Sequence, residues 1–472
     1  MKSDTDVQAQ IKIKEVPRNL AVRQKKQTSF GYSFVGIRKP AQFMSRYQDL
    51  WHYVVLEKKT HQAKQNHSRG RYRCHRNGTR AGGSPSHLST YDGLLSLIEE
   101  AKDTIEIASL HWTLEAQDVH QSPSDWVDTS LFQHLLSAGK NRNVEIKLLE
   151  NKPNSKMQSP DIGILIEEAH ASVQQIDIKK LMGGGIMHTK IWIIDRRHFY
   201  IGSSNLNWRS LTQVKDLGVI ISNCKSLAED MGKIFDTYWH LTIVDKIPKP
   251  WPEMYNTTIN KERPLNTNLN DSNSNVYLSI SPPAFCANGR TGDIDAILDV
   301  INSAKKFIHI AVMDYAPALE FQRPSLFWPI IDRALRNVSI TKGVEVFLLG
   351  SHWKHNKASM FNFLKSLANL NSATKAKMQV KMFEVPYFTK EQREIPSLCI
   401  NHNKFMVTDT DAFIGTSSWS GDYFTPAAGL GLVVRSTKTQ KNHFHQQLEA
   451  VFQRDWNSKY SRNLDDIDPT KV

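Results

Sequence analysis

From His87 onward the chain alternates between two hydrophobic rhythms. Tyr91–Lys102 carries Leu94, Leu95, Leu97, Ile98 and Ala101 at helical spacing, which predicts a helix with one apolar side. Thr104–Ser109 follows with a strand pattern, and Val144–Leu149 and Val173–Ile178 read as further strands. Helix-type and strand-type segments alternate to about residue 245 and resume from Asp293 to about Trp456. This order predicts an α/β fold in which a mixed, mostly parallel sheet is flanked by helices. Asn256–Asn275 is polar and Asn-rich, and reads as a linker or exposed connection. Residues 1–86 keep no helical or strand period, and Lys58–Ser86 is rich in Lys, Arg, His, Gln, Gly and Ser. Such a segment buries too little apolar surface to order itself. It reads as a solvated, disordered arm rather than a nucleic-acid or membrane-surface tether.

The two patterned blocks resemble each other. "IEEAKDTIEIAS" (98–109) aligns with "INSAKKFIHIAV" (301–312), and "VEIKLL" (144–149) with "VEVFLL" (344–349). "HTKIWIIDRRHFYIGSSNLNW" (188–208) aligns with "HNKFMVTDTDAFIGTSSW" (402–419). Three matches in one order indicate a duplicated unit with loop insertions. The expected organisation is a basic N-terminal segment (1–86), a first repeat (87–255), a connection (256–290), a second repeat (291–460) and a tail (461–472).

Composition changes this picture only at the N-terminus. The 472 residues are 40% hydrophobic and 23% charged, which excludes wholesale disorder. The net charge of +13 sits in residues 1–86, which hold 18 basic and 5 acidic side chains; the remaining 42 of each sign cancel. The basic pI therefore does not mark a nucleic-acid surface on the folded part. Four cysteines (Cys74, Cys224, Cys286, Cys399) exclude a disulfide scaffold, and sequons stand at Asn66, Asn77, Asn256, Asn270 and Asn337. No run of 18 apolar residues occurs and no signal-peptide core follows Met1, so the chain reads as soluble.

The candidate chemistry lies in the third match. Each repeat holds H-x-K-x-x-x-x-D followed by a Gly–Ser/Thr turn: His188, Lys190, Asp195, then Gly202, Ser203, Ser204, Asn205; and His402, Lys404, Asp409, then Gly415, Thr416, Ser417, Ser418. On a strand, residues two apart share a face, so each His and Lys point together while Ile191, Ile193, Phe405 and Val407 face packing. Two such halves offer two imidazoles and two lysines to one anion. One neutral imidazole can attack phosphorus, the other can protonate the leaving oxygen, and the lysines can hold the equatorial oxygens. No H-E-x-x-H, Cys cluster or paired-carboxylate signature is present, so no metal and no cofactor are expected.

This doubled motif resembles the phospholipase D superfamily. "HTKIWIIDRRHFYIGSSNLNWRSLTQVKDLGVI", "NHNKFMVTDTDAFIGTSSWSGDYFT", "AVMDYAPALEF", "FWPIIDRALR" and "LEAVFQRDWNSKYS" are similar to its lysosomal exonuclease group, the animal type-three and type-four members. The resemblance covers residues 88–465. It implies two α/β repeats about a pseudo-twofold axis with one site between them. It also implies 5′→3′ exonuclease activity on single-stranded DNA and RNA in acidic compartments, links to phosphatidyl transfer, and a membrane-anchored lysosomal or endoplasmic-reticulum luminal glycoprotein. His188 and His402 are then nucleophile and acid/base, and Lys190 and Lys404 are phosphate clamps. Asp195 and Asp409 are buried organisers of the motif. Ser203, Asn205, Thr416 and Ser418 line the phosphate. Asp216, in "VKDLGVI", takes the place of an acid that orients the first imidazole. "AAGLGLV" in the second repeat has no acid there, which favours His188 as nucleophile.

Three departures from that pattern stand out: Ser418 where the second motif usually has Asn, an N-terminus without the expected anchor, and Cys224 in "SNCKSL" where relatives carry paired cysteines. They read as a divergent member or a faulty N-terminal gene model rather than a relocated enzyme. Partners implied are a single-stranded nucleic acid or a phospholipid, with a homodimer and membrane association left open. The competing functions are a phospholipid hydrolase or transphosphatidylase using the same histidines, and an inactive binding or scaffolding protein. Trp208 and Trp419 either stack a base or support their turns. His111 and Trp112 are rim candidates, and Gly183–Gly185 read as a flexible lead-in.

Overall fold

The structure is a computed structural model of the chain; it describes residues 52–57, 87–110, 112–114, 126–152, 160–270, 272–374, 376–387, 397–437 and 443–467. Its first sheet is built from β1 (His52–Glu57), β2 (Thr104–Ser109), β3 (Glu145–Asn151), β4 (Ser172–Ile176), β5 (Ile191–Ile194), β6 (His198–Gly202) and β7 (Leu217–Ser222), in the order β1-β7-β6-β5-β2-β3-β4. The second holds β8 (Leu265–Leu269), β9 (Ser272–Ser281), β10 (Thr291–Gly292), β11 (Phe307–Val312), β12 (Glu345–Ser351), β13 (Lys377–Phe383), β14 (Lys404–Thr408), β15 (Asp411–Gly415), β16 (Gly429–Ser436) and β17 (Ser461–Asn463). Its order is β8-β9-β16-β15-β14-β11-β12-β13-β17, with β10 on β9. The six inner strands run β7-β6-β5-β2-β3-β4 in one sheet and β16-β15-β14-β11-β12-β13 in the other, so the duplication read from sequence is a duplication of topology.

The helices follow from the predicted periodicity. α1 (Thr90–Glu100) starts where the Ser89 hydroxyl accepts the Asp92 amide at 3.0 Å, and it buries Leu94, Leu97 and Ile98. With α2 (Trp126–Arg142) and α3 (Pro160–Ala169) it lies on the side of the first sheet lined by Ile105, Ile107, Trp192 and Ile194. α5 (Asp293–Ser303), α6 (Ile330–Lys342) and α7 (Ala358–Ala368) cover the matching side of the second sheet. α6 stops at Gly343, whose left-handed φ of +68° glycine adopts without a Cβ penalty. The remaining faces meet in one shared core. Ile191, Ile193 and Val219 join Phe405, Val407 and Leu432 there, together with α4 (Lys225–His240) and α8 (His443–Trp456). Truncating a side chain such as Ile193 to alanine costs about 2–5 kcal/mol, because neighbours close a core cavity only partly.

Three expectations are corrected. The sheets are mixed, but only β2-β3-β4, β11-β12-β13 and the β9–β10 pair run parallel; the other ladders are antiparallel. The motif strands turn back through tight hairpins, and such hairpins make antiparallel neighbours. The stretch within 256–290 expected as a connection contributes the β8–β9 hairpin to the second sheet. It is an edge hairpin with one wet face, Asn266 and Asn268 outward and Thr267 and Leu269 inward, so its polarity masks its alternation. Within 1–86, residues 52–57 form β1, paired antiparallel with β7; residues 1–51 and 58–86 lie outside the described residues. Among the described residues no helix is long and apolar enough to cross a membrane, and Cys224 and Cys286 are free thiols.

Candidate active site

The motif histidines stand just ahead of strands β5 and β14, and their backbones are held by the opposite repeat. The His188 amide donates to the Ala428 carbonyl at 2.7 Å, and the Ala428 amide donates to the Ile186 carbonyl at 3.0 Å. Symmetrically, His402 donates to Lys215 and Lys215 to Ile400, both at 2.8 Å. These two short parallel bridges, Met187 with Ala428 and Lys215 with Asn401, lock the repeats together at the motifs. They bring both imidazoles and both lysines close enough to act on one another electrostatically. A buried ion pair, Lys215 to Asp455 at 2.7 Å, fixes the same seam.

That exchange decides which histidine receives the acid. Asp216 follows the bridge residue Lys215 and lies against His402, whose Nδ1 is 2.7 Å from its Oδ1. The expectation that Asp216 orients the first imidazole is therefore overturned: the acid is donated across the interface to the second. The position matching Asp216 beside His188 is Gly429, and the His188 Nδ1 has no hydrogen-bond partner among the described residues. A Cβ at Gly429 would run into Ser417 Oγ and lie 2.9 Å from Ser281 Oγ, so the backbone there has no room for a carboxylate.

Each lysine folds back on its own histidine. Lys190 Nζ donates to the His188 carbonyl at 2.6 Å and Lys404 Nζ to the His402 carbonyl at 2.7 Å. Each ammonium keeps two further donors. Both lysines are 1% exposed, and burial is the main force lowering their basicity. Lys190 falls well below its ordinary range, with Lys404 adding repulsion. Lys404 falls to about 7, with Asp216 and Asp314 opposing the burial. Burial, then Lys190, Lys404 and His402, drives His188 well below 6.5. Burial and then Lys404 bring His402 to about 4 against the pull of Asp216. Burial works to raise Asp216 too, but His402, the Ser203 hydroxyl and Lys404 outweigh it and hold its carboxyl low. Both lysines and both imidazoles are thus buried together, and an anion of phosphate charge between the lysines would raise the proton affinity of their ammonium groups.

The other sequence-predicted residues divide. Asp195 and Asp409 are half-buried rather than buried and stand at the far ends of the motif strands, roughly 15 Å of strand from the lysines. The Asp195 carboxylate accepts the amides of Lys102, Asp103 and Thr104 at 2.9, 2.9 and 2.7 Å, while its backbone takes φ +52° in the β5–β6 turn. Asp409 accepts Lys305 and Lys306 at 3.0 Å. They build the hairpin and do not reach the reaction centre, as their organising role implies. Ser203 gives its hydroxyl to Asp216 at 2.6 Å and accepts Leu217 N at 3.1 Å; Thr416 accepts Leu430 N at 3.0 Å. Both brace the site from behind. Asn205 is half-buried, its Oδ1 without a partner among the described residues, and Ser418 hydrogen-bonds Tyr423. Trp208, Trp419 and Trp112 are buried and support turns and core; His111 lies outside the described residues.

Two residues escaped the sequence reading. Asp314, just past the end of β11, is raised by burial and drawn back by Lys404. Tyr423 sets its ring edge-on to His188, with centroids 4.9 Å apart at 62°. An acid directly after a buried strand was the available signal for the first. No local signal marked the second.

Known proteins resemble this chain over most of its length. The family model described as "PLD3/4, PLD-like domain" matches residues 81–387. The "5'-3' exonuclease PLD3" of Xenopus tropicalis is 45% identical over 388 residues, 81% of this chain and 78% of that protein. The human "5'-3' exonuclease PLD3" is 43% identical over 81% of this chain and 77% of its own length. The mouse "5'-3' exonuclease PLD4" is 40% identical over 82% and 77%. Among solved structures, the phosphatidylserine synthase of Haemophilus influenzae Rd KW20 shares the fold, with a TM-score of 0.53 at 12% identity over 81% of this chain and 88% of that one. A duplicated α/β unit with a doubled H-x-K motif, and likeness to these proteins over 81% of this chain, place the chain in the PLD3/4 group of phospholipase-D-like proteins.

Proposed function

We propose that this chain is a phosphodiesterase that releases nucleotides 5′→3′ from single-stranded DNA or RNA through a phosphohistidine. One observation carries the proposal: two imidazoles in unlike settings share one buried pair of lysines. His188, without an acid partner and strongly depressed, stays neutral and is the nucleophile. His402, backed by Asp216, holds a proton more readily and is the acid. We keep His188 as the nucleophile on the opposite ground to the sequence reading: an acid partner suits the proton donor.

His188 Nε2 attacks phosphorus as the bond to the leaving oxygen breaks, and that oxygen takes the proton from His402 Nε2. Water then attacks the phosphohistidine, gives its proton to His402, and the N–P bond breaks. Lys190 and Lys404 hold the non-bridging oxygens throughout. The relatives' exonuclease activity supports the nucleic-acid substrate over a phospholipid, and two intact His–Lys pairs speak against an inactive scaffold. An acidic lysosomal compartment fits the site: His402 carries its proton only at low pH, and Lys404 loses charge above about 7. A luminal glycoprotein fits the exposed sequon at Asn337 on α6.

The test is release of nucleotides from 5′-hydroxyl and 5′-phosphate oligonucleotides across pH 4–8, with and without chelator, beside phosphatidylglycerol. Nucleotide release favoured by acid and persisting in chelator is expected. Turnover retained in both His188→Ala and His402→Ala would refute the site. Cleavage of lipid alone would replace the substrate.

A further inference from the structure

The phosphate-side turns of the two repeats differ at one matching position. In the first, Gly202-Ser203-Ser204-Asn205 ends in an amide; in the second, Gly415-Thr416-Ser417-Ser418 ends in a hydroxyl that is 1% exposed. Tyr423 stands beside Ser418, whereas the tyrosine at the first turn, Tyr200, meets the backbone amide of Ser204 instead. Tyr423 closes the short helical turn Gly421–Tyr423, and the first repeat carries Trp208, Arg209 and Ser210 at the corresponding place.

The turn is held from three sides. The Asp422 carboxylate accepts the amides of Glu320 and Phe321 at 2.7 and 3.2 Å. The Ser281 hydroxyl donates to the Tyr423 carbonyl at 3.0 Å. The Tyr423 ring meets His188 edge-on. The Ser418 side chain bonds the phenol oxygen, and Asp314, which acts on Lys404, also acts on it. Burial and then Asp314 keep the phenol protonated far above the working range of pH, so its O–H remains a donor.

Resting on the phosphodiesterase reading, we propose that Tyr423 is a further catalytic residue. Its hydroxyl, taking a hydrogen bond from Ser418, gives its own hydrogen to a non-bridging oxygen of the phosphoryl group, in place of the amide that the second turn lacks. Its ring edge holds the His188 imidazole in line for attack. A T-shaped aromatic contact fixes orientation without supplying charge, which suits a nucleophile that must stay neutral.

Tyr423→Phe keeps the ring and removes only the donor. In the full chain its kcat/KM should fall on the order of 10- to 100-fold, as for loss of one preorganised donor, with the melting temperature unchanged. Ser418→Asn in the Tyr423→Phe background should recover most of that loss by restoring an amide. Turnover of Tyr423→Phe within twofold of the wild type, or a loss that Ser418→Asn leaves untouched, overturns the proposal. Inorganic phosphate, followed calorimetrically, separates the two readings. Weaker phosphate binding by Tyr423→Phe supports the donor whatever the organic substrate, and equal binding opposes it. An inert wild type that binds phosphate would sink the proposed function instead.

Discussion

Asp216 and Gly429 occupy matching places in the two repeats and have opposite consequences. Asp216 reaches across the seam and charges the setting of His402. Gly429 leaves His188 bare, and the hydroxyls of Ser417 and Ser281 close the space where a carboxylate would stand. The same inequality recurs nearby. Asn205 faces Ser418 plus Tyr423, and Thr90 at the start of α1 faces the buried Asp293 at the start of α5. Duplication supplied two copies of a half-site. Divergence of a few side chains gave the two imidazoles unlike settings, the asymmetry on which the proposed division into nucleophile and proton carrier rests. A symmetric centre would leave both histidines competing for one proton.

The comparison breaks most decisively at the histidines. His188→Ala and His402→Ala should each lower turnover on the order of 10³- to 10⁴-fold, since nucleophile and acid act as one unit. They should differ in trapping: brief quenching of His402→Ala with a good leaving group should show phosphate on His188, and none should be trapped in His188→Ala. Phosphate mapped to His402 would reverse the roles.

Asp216→Asn comes next. It should lower kcat on the order of 100-fold, the scale of losing a partner that orients an imidazole. Removing the carboxylate lowers His402's proton affinity further, so the alkaline limb of the pH–rate profile should move to lower pH. An unmoved limb would mean that Asp216 only supports structure.

Asp293 sharpens the comparison through stability. Burial pushes its carboxyl up to about 6; only the Ser279 hydroxyl, at 2.7 Å, meets one oxygen, and the other has no partner among the described residues. Tyr238 and Cys286 are its other polar neighbours. The folded chain then binds more protons than the unfolded between pH about 4 and 6. Its stability falls as pH rises through that window and stays lost above it. Asp293→Asn should remove this slope and gain at most about 3 kcal/mol at neutral pH, read from denaturant melts at pH 4.5 and 7. A slope unchanged in the variant would dismiss Asp293 as its source.

The smallest effect belongs to Gly429→Asp, which would make the halves symmetric. The crowding predicts a loss of about 1–3 kcal/mol in stability and no gain in rate, with Ser417→Ala relieving part of the strain. A rate increase would show that His188 lacks a useful acid rather than benefits from its absence.

Much of this molecule is legible in its sequence because hydrophobic period, strand alternation and a repeated motif are local properties. They mark α1, β2, both H-x-K strands, the duplicated α/β unit and the histidines and lysines that the structure brings together. The β8–β9 hairpin was hidden because an edge strand with one wet face shows little apolar alternation. The balance of parallel and antiparallel ladders was hidden because hairpins follow from turn geometry, which the strand pattern does not state.

Partnership was decided only by the tertiary structure. Asp216 and His402 are 186 residues apart, and nothing in their neighbourhoods says they meet. The crossed backbone bridges carry each repeat's acid position to the other repeat's histidine, turn Ser203 and Thr416 into braces, and bring Tyr423 onto His188. A linear chain determines which groups it owns. Which proton each of them holds depends on the charges packed around it, and packing exists only once the two halves have closed on each other.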